Sequence, residues 1–287
     1  MPAARNVRHV LYSKVAACGD PLTLRSHSAQ YPNVRTMGVS AVTIIRVGED
    51  RRFRSTVPYY VRYRPRYPDE LIERLADATG LGPSSRVLDL GSGPGHVALA
   101  IAAHAGEVVA VDPEPEMLAA LAAAAPANVR TVEARAEEVD ESWGRFDLVT
   151  AGRSFHWFDE EVVLARLDGI TDALALLADS ASAGAAQREV LAIARGLLGD
   201  EPAERRGSRF REILVRSPFS DITELSVDVE RDWTPDDLIG FAYSTSVASP
   251  ERLGPLQETF EHAVRERLPP VSRDRVSVDA LLGRRPS

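Results

Sequence analysis

The stretch VLDLGSGPGHVALA, residues 87–100, places three glycines within five positions directly after an apolar run. The short apolar run predicts a buried strand, and the apolar residues after the glycines have helical spacing. A loop that joins a strand to a helix is where an open α/β sheet binds its ligand. Glycines there allow a sharp turn and close approach of the backbone, and the helix N-terminus adds N–H groups and positive potential. The stretch therefore predicts a ligand-binding α/β sheet.

The spacing of the glycines distinguishes between three kinds of ligand. A P-loop for a nucleoside triphosphate requires Gly-Lys-Ser/Thr, and this loop contains no lysine. The dinucleotide fingerprint G-x-G-x-x-G fits Gly91 and Gly93, but its third position is His96. The loop instead matches D-x-G-x-G-x-G, whose fixed positions are Asp89, Gly91, Gly93 and Gly95.

The rest of the chain alternates apolar runs with helical segments. Strands are predicted at EVVAVD, NVRTVEAR, RFDLVTAG, DALALLADS and ITELSVDVE, and a last strand near the sheet edge at about residues 273–284. Helices are predicted at RYPDELIERLADATG, PGHVALAIAAHAG, EPEMLAALAAAA, about residues 159–167, TPDDLIGFAYSTS and SPERLGPLQETFEHAVRERL. This order predicts a Rossmann-like, doubly wound, mostly parallel seven-stranded sheet with helices on both faces and a small helical cap.

The periodicity of apolar residues changes near residue 50 and divides the chain into two parts. Residues 1–50 show no sustained period, so they are predicted to form a loosely ordered extension with a short strand at SAVTIIRV. Residues 51–287 are predicted to form one domain. Its first half, residues 57–180, carries the glycine loop, and residues 184–268 supply the cap.

Composition and charge limit the partners. The net charge is −8, and residues 1–56 hold nine Lys/Arg against three Asp/Glu, which leaves 25 against 39 in the rest. An acidic body disfavours nucleic acid as a partner. The single cysteine, Cys18, forms no intramolecular disulfide, and no Cys/His cluster predicts a metal. No apolar run approaches the ~20 residues of a spanning helix, so we expect a cytoplasmic protein without membrane contact. The oligomeric state is not predicted.

Four further segments agree with the glycine loop in a common order. Asp112 ends the second strand, EARAEEV follows the third, FDLVTAGRSFHWFD contains the fourth, and YYVRYRPRYPDEL precedes the first. Together they resemble the motifs of class I S-adenosylmethionine-dependent methyltransferases, in a small-molecule branch with a Phe-His-Trp fourth motif. The resemblance covers about residues 52–287. It implies methyl transfer from S-adenosylmethionine to an oxygen, nitrogen or carbon atom of a small molecule.

The resemblance also implies site residues. Asp89 would face the amino group of the cofactor's methionine part, and Asp112 would hold its ribose hydroxyls. The implied cofactor-binding set is Tyr60, Arg64, Asp89, Gly91, Ser92, Gly93, Gly95, Asp112, Pro113, Ala136, Glu137 and Ala151. The implied substrate-binding set is Tyr63, Phe155, His156, Trp157, Trp233 and Tyr243. No metal ligand is implied.

Several alternatives stay open. His156 is either a general base or, as we favour, a residue that shapes the pocket. Tyr60, Tyr63 and Tyr67 are either core residues or a lid whose rings attract the sulfonium cation. Gly93 could merely permit close packing of helix on strand. A cofactor-binding protein without methyl transfer, or a nicotinamide-dependent oxidoreductase, is the alternative function.

Overall fold

The computed structural model describes residues 53–179, 184–200 and 209–286. The strands in these ranges are β1 (Arg86–Leu90), β2 (Glu107–Asp112), β3 (Val129–Glu133), β4 (Leu148–Gly152), β5 (Ala173–Asp179), β6 (Asp221–Trp233) and β7 (Ser272–Arg284). The helices are α1 (Val57–Tyr63), α2 (Asp69–Thr79), α3 (His96–Ile101), α4 (Pro115–Ala122), α5 (Glu160–Leu167), α6 (Ala185–Leu198), α7 (Arg209–Val215), α8 (Pro235–Tyr243), α9 (Pro250–Leu253) and α10 (Gln257–Arg267). The seven strands form one sheet in the order β3-β2-β1-β4-β5-β7-β6.

The order of the strands defines where a ligand binds. β1 pairs in parallel with both β2 and β4, so the chain continues outward from β1 in opposite directions across the sheet. β3 and β5 extend the parallel part, and β7 runs antiparallel to β5 and β6. The crevice of such a sheet lies outside the carboxyl ends of the strands where the order reverses. The glycine loop after β1 and the loop after β4 both lie at that edge.

The first face of the sheet is covered by α2 and α3. The apolar residues of α2 that the sequence marked, Leu71, Ile72 and Leu75, are at most 1% exposed and pack with β1 and β2 side chains. Gly80 ends α2 in the left-handed conformation, with φ of 66°, and its N–H donates to carbonyls of the last turn. The predicted helix and its end are confirmed.

The helices on the second face of the sheet and in the cap also each bury one apolar stripe. α5 and α7 pack through Val163, Leu167 and Leu214 against the other face of the strands. A third apolar cluster joins α6, α8 and α10 around residues such as Val190 and Phe260. Helices on both faces and a helical cap are therefore confirmed.

Two details differ from the sequence-based prediction. β7 lies near the edge of the sheet, as expected, but the edge strand itself is β6, which β7 joins to β5. Alternation of buried and exposed residues identifies a strand but not its neighbours. α3 ends at Ile101 and continues as the 3-10 turn Ala102–His104, although a helix up to Gly106 was expected. The predicted extension over residues 1–50, with its strand at SAVTIIRV, lies outside the described residues.

Candidate functional site

The three glycines after β1 all have positive φ: 61° at Gly91, 54° at Gly93 and 91° at Gly95. Side chains other than glycine rarely adopt this conformation. A Cβ at Gly91 would lie 2.5 Å from the Cβ of Ser154, and one at Gly95 would lie 2.2 Å from Cδ1 of Leu121. Gly91 and Gly95 are therefore required for packing of the loop against the segment after β4 and against α4.

Gly93 differs from its two neighbours. A Cβ built there meets no atom within 4 Å, so the space beside this residue is open. Close packing of helix on strand, the alternative explanation for Gly93, is thus wrong for this position and applies to Gly91 and Gly95. The open space lies at the switch point of the sheet, beside the end of β2, where a ligand backbone contact is expected.

Asp112 shapes the loop through both of its carboxylate oxygens. Oδ2 accepts a hydrogen bond from the N–H of Gly93 at 2.8 Å, and Oδ1 accepts one from the N–H of Glu114 at 2.9 Å. The residue is 7% exposed, and burial raises the pKa of its carboxyl group. Asp112 therefore joins the end of β2 to the glycine loop and stands directly beside the open space.

Asp89 is buried more deeply than Asp112 and is enclosed by protein. Its Oδ1 accepts from the hydroxyl of Thr150 at 2.8 Å and its Oδ2 from the N–H of Ala98 at 3.1 Å. The residue is 1% exposed, and burial raises the pKa of its carboxyl group to about 7. The expectation that Asp89 faces a ligand amino group is therefore corrected. The carboxyl group of Asp89 instead holds the first turn of α3 against β1 and β4.

The remaining predicted cofactor residues differ in how far they are exposed at the carboxyl edge of the sheet. Ser92 is 8% exposed, and its N–H donates to the carbonyl of Val111 at 2.9 Å. Pro113, after β2, is exposed. Ala136 and Ala151 are buried, so only their backbones could contact a ligand. Whether these backbones do so stays a prediction.

Glu137 connects two of the predicted motifs. Its Oε1 accepts a hydrogen bond from the N–H of Asp159 at 2.8 Å, and the side chain lies 3.7 Å from the guanidinium of Arg135. The carboxylate thus ties the segment after β3 to the start of α5. Contact with the adenine side of a cofactor stays a prediction for Glu137.

The Phe-His-Trp run forms the 3-10 turn Phe155–Trp157 after β4. Phe155 is 1% exposed and packs edge-on against Phe158 and Phe210, so it belongs to the core and does not line a substrate surface. The ring of His156 is half-buried, with its centroid 4.8 Å from that of Trp157. Trp157 is 38% exposed, and its ring packs edge-on with that of Phe53 at 5.5 Å between centroids. The structure thus places Phe155 in the core and leaves His156 and Trp157 partly exposed after β4; contact of these two residues with a substrate stays a prediction.

The N-terminal aromatic segment lies over the same edge of the sheet. The ring of Tyr60 is 5.2 Å from that of His96 at the start of α3, and the guanidinium carbon of Arg64 lies 5.4 Å from the Tyr60 centroid. Tyr63 packs on the backbone of α8, where a Cβ at Gly240 would clash with its ring. Tyr67 is 4% exposed, and its hydroxyl donates to the carbonyl of Leu177. Tyr60 and Tyr63 are thus partly exposed at the edge, whereas Tyr67 is a core residue.

Two predicted substrate residues are buried inside the cap. Trp233 is 5% exposed and Tyr243 is 3% exposed, and both belong to the apolar cluster of α6, α8 and α10. The hydroxyl of Tyr243 donates to Oε1 of Glu261 at 2.9 Å, and burial raises its pKa. The prediction that these two rings line a substrate surface is corrected, because both rings are packed inside the apolar cluster of the cap.

The sequence pattern assigns His96 only to the start of a helix. In the structure, its ring contacts that of Tyr60 at the carboxyl edge of the sheet. Its Nδ1 is buried and has no hydrogen-bond partner. Burial lowers the pKa of the ring to about 3, assisted by the charges of Arg153, Arg64 and Arg66. The imidazole is therefore neutral. Its position directly after Gly95 in the loop was the signal that could have identified it.

In the described ranges, no group of three or more His, Cys, Asp or Glu side chains could hold a metal ion. None of the helices in those ranges is both long and apolar enough to cross a membrane.

Comparison with known proteins adds independent information. Residues 87–175 match a family described as methyltransferase domain. Over 107 residues the chain is 41% identical to an uncharacterized methyltransferase of Mycobacterium tuberculosis, which covers 37% of this chain and 42% of that protein. Over 119 residues it is 34% identical to an uncharacterized methyltransferase of Schizosaccharomyces pombe, which covers 41% of this chain and 47% of that protein. The match thus spans less than half the length of these relatives.

A solved structure extends the likeness over more of the chain. A candidate type II methyltransferase from Anaeromyxobacter dehalogenans superposes with a TM-score of 0.50 and 25% identity, covering 77% of this chain and 98% of that one. Residues 87–175, which hold the glycine loop, are the part of the chain that matches a methyltransferase domain. The chain is thus similar to methyltransferases in sequence over residues 87–175 and in fold over most of its length, and S-adenosylmethionine is the cofactor of class I methyltransferases.

Proposed function

We propose that this chain binds S-adenosylmethionine at the glycine loop and transfers its methyl group to a small-molecule acceptor, with release of S-adenosylhomocysteine. The observation that carries the proposal is the open space beside Gly93, next to the buried carboxylate of Asp112. This space lies where a doubly wound sheet binds its ligand, in a chain whose residues 87–175 match a methyltransferase domain.

Asp112 is proposed to hold the ribose hydroxyls. Each carboxylate oxygen has two acceptor positions, and the two backbone N–H groups use only one on each oxygen. A carboxylate that is already fixed by the backbone accepts further hydrogen bonds without loss of side-chain freedom. Gly93 is proposed to let the backbone approach the ligand, and Pro113, Ala136 and Glu137 to border the adenine.

Asp89 is proposed to act as a positioning residue. Its hydrogen bond to the N–H of Ala98 fixes the first turn of α3, and its bond from Thr150 fixes the carboxylate to β4. The residue thereby fixes the start of α3 beside the glycine loop. This role differs from direct contact with the cofactor's amino group.

Methyl transfer requires the protein mainly to place the cofactor and the acceptor correctly. When bound, the cofactor supplies an electrophilic methyl group on sulfur; the nucleophile forms the new bond to carbon, and the electron pair of the broken S–C bond stays on sulfur. The loop and the segment containing Tyr60 are proposed to fix the orientation of the two reactants and to exclude water. His156, half-buried against Trp157, is proposed to shape the acceptor side of the pocket rather than to act as a base.

Calorimetry with three ligands tests this function. We expect S-adenosylmethionine and S-adenosylhomocysteine to bind and NAD not to bind. Binding of NAD alone would establish the oxidoreductase alternative. If the two sulfur ligands bind, turnover with a labelled methyl donor against a metabolite panel separates a methyltransferase from a protein that only binds the cofactor.

A further inference from the structure

Three arginines, Arg64, Arg66 and Arg153, lie near enough to His96 for their charges to act on its ring. The guanidinium carbon of Arg64 lies 5.4 Å from the ring centroids of both Tyr60 and Phe241. The ring centroid of Tyr60 lies in turn 5.2 Å from that of His96. Arg66 follows two residues later with an exposed side chain. In the described ranges, neither Arg64 nor Arg66 forms an ion pair, whereas Arg86 lies 2.6 Å from the carboxylate of Glu107.

The segment that carries Arg64 and Arg66 is fixed at two points. The carbonyl of Pro65 accepts a hydrogen bond from Nη1 of Arg153 at 2.8 Å, and the carbonyl of Arg66 accepts one from Arg231 at 3.2 Å. Arg153 is a non-glycine residue with φ of 56°, directly after β4. A strained backbone of this kind persists only where the surrounding structure determines it, and it is common at ligand sites. The side chain of Arg153 lies 4.5 Å over the ring of Tyr67 and adds its charge to the same region.

The unpartnered nitrogen of His96 is a second, independent observation. A buried polar atom without a hydrogen-bond partner is costly, and native proteins pair such atoms with another group or with a ligand. Nδ1 of His96 is buried and unpartnered, and in the tautomer that carries the proton on Nδ1 the neutral imidazole is a donor that requires an acceptor. An anion at this position would supply that acceptor and would also neutralise the nearby guanidinium groups.

We infer that the methyl acceptor is a small molecule with an anionic group, a carboxylate or a phosphate, which binds between Arg66 and His96 beside the cofactor. The inference rests on the proposed function. The cofactor itself has one carboxylate, which a single guanidinium such as that of Arg64 satisfies in a bidentate pair. The charge of Arg66 exceeds this requirement. The body of the domain is acidic, with 25 Lys/Arg against 39 Asp/Glu after residue 56, so this positive cluster is local.

The test uses the full chain saturated with S-adenosylhomocysteine. Glutarate, inorganic phosphate and the neutral glutaramide are titrated by calorimetry into wild-type protein, the Arg66→Gln variant and the Arg166→Gln variant. Arg166 is an exposed arginine at the end of α5, at the opposite edge of the sheet, and it controls for the loss of one positive charge.

We expect glutarate or phosphate to bind wild-type protein at least tenfold more tightly than glutaramide. Arg66→Gln should weaken anion binding by a factor of about five to fifty and leave the affinity for S-adenosylhomocysteine within twofold, whereas Arg166→Gln should change neither. Preference for glutarate over phosphate, or the reverse, identifies the anionic group. Anions that bind no better than glutaramide, or equally well to Arg66→Gln, overturn the inference. Failure of S-adenosylhomocysteine to bind wild-type protein would instead contradict the proposed function.

Discussion

The carboxylate of Asp112 and the backbone N–H of Gly93 are joined by a hydrogen bond of 2.8 Å that connects the end of β2 to the glycine loop. This bond links two motifs that are 19 residues apart in the chain. It leaves the carboxylate beside the open space at Gly93, so one residue both shapes the loop and offers an acceptor to a ligand. The functional proposal depends on this pair.

Substitution of Asp112 tests the role of the carboxylate. Asp112→Ala should raise the dissociation constant for S-adenosylmethionine roughly tenfold to several-hundredfold, because hydrogen bonds to a charged group are worth about 1.5–3 kcal/mol each. Calorimetry measures the change. Asp147→Ala is the matched control, since Asp147 also accepts from a backbone N–H, that of Arg86, but at the opposite edge of the sheet. Equal affinity of the Asp112→Ala variant and wild-type protein would place the ribose contact elsewhere.

Asp89 should make the stability of the protein depend on pH. Its pKa of about 7 in the folded state lies above the ordinary value of 3.8, so the folded protein binds more protons than the unfolded chain between these values. The contribution of Asp89 to the free energy of unfolding therefore falls as pH rises from about 4 to 7. Asp89→Asn should remove this contribution, because an amide can accept from Ala98 and donate to Thr150 without titrating.

Urea denaturation at pH 5 and pH 7 measures the effect. The fall in stability of wild-type protein over this interval should exceed that of Asp89→Asn by up to roughly 2–3 kcal/mol, since one pKa unit corresponds to about 1.4 kcal/mol. Other titrating groups are common to both proteins and cancel in the comparison. Parallel pH profiles for the two proteins would show that Asp89 is ionised in the folded state at both pH values.

His156 should tolerate substitution better than a general base would. The ring packs on Trp157, with 4.8 Å between centroids, so we expect His156→Asn to lower kcat/KM less than tenfold once an acceptor is identified. Loss of a general base costs about 10²–10⁴-fold in rate. A loss within that range, together with loss of the acidic limb of the pH–rate profile, would assign proton transfer to His156.

The sequence predicted the parallel half of the sheet well because its signals are local. An apolar run such as that of β2, a helix end such as Gly80, and a glycine loop each depend on neighbouring residues. The position of β7 inside the sheet could not be predicted in this way, since pairing with β5 and β6 depends on residues far apart in the chain. Antiparallel pairing of distant strands has no short-range signature.

The sequence predicted which residues lie at the carboxyl edge of the sheet, but not how their side chains are paired; their contacts with a ligand stay predictions. Asp89 and Asp112 are both acidic residues at strand ends, yet one points into the core and the other toward the open edge. Spacing cannot distinguish these cases, because the difference arises from the partners Thr150 and Gly93 on other segments. Phe155 likewise belongs to the motif but packs in the core. His96 was missed because a histidine at a helix start has no distinctive pattern; its role depends on the arginines that the fold brings around it.

Thermal melts of Gly93→Val, with and without saturating S-adenosylhomocysteine, test the central claim most directly. Gly80→Val is the matched control, because Gly80 also has positive φ, 66°, and no atom within 4 Å of a built Cβ, but it lies at the end of α2 away from the loop. Both variants carry similar backbone strain. At a ligand concentration of a hundred times Kd, wild-type protein and Gly80→Val should each gain about 2.7 kcal/mol of stability. Gly93→Val should gain none, since its side chain fills the space that the ligand needs; a preserved ligand-induced shift in Gly93→Val would contradict the account.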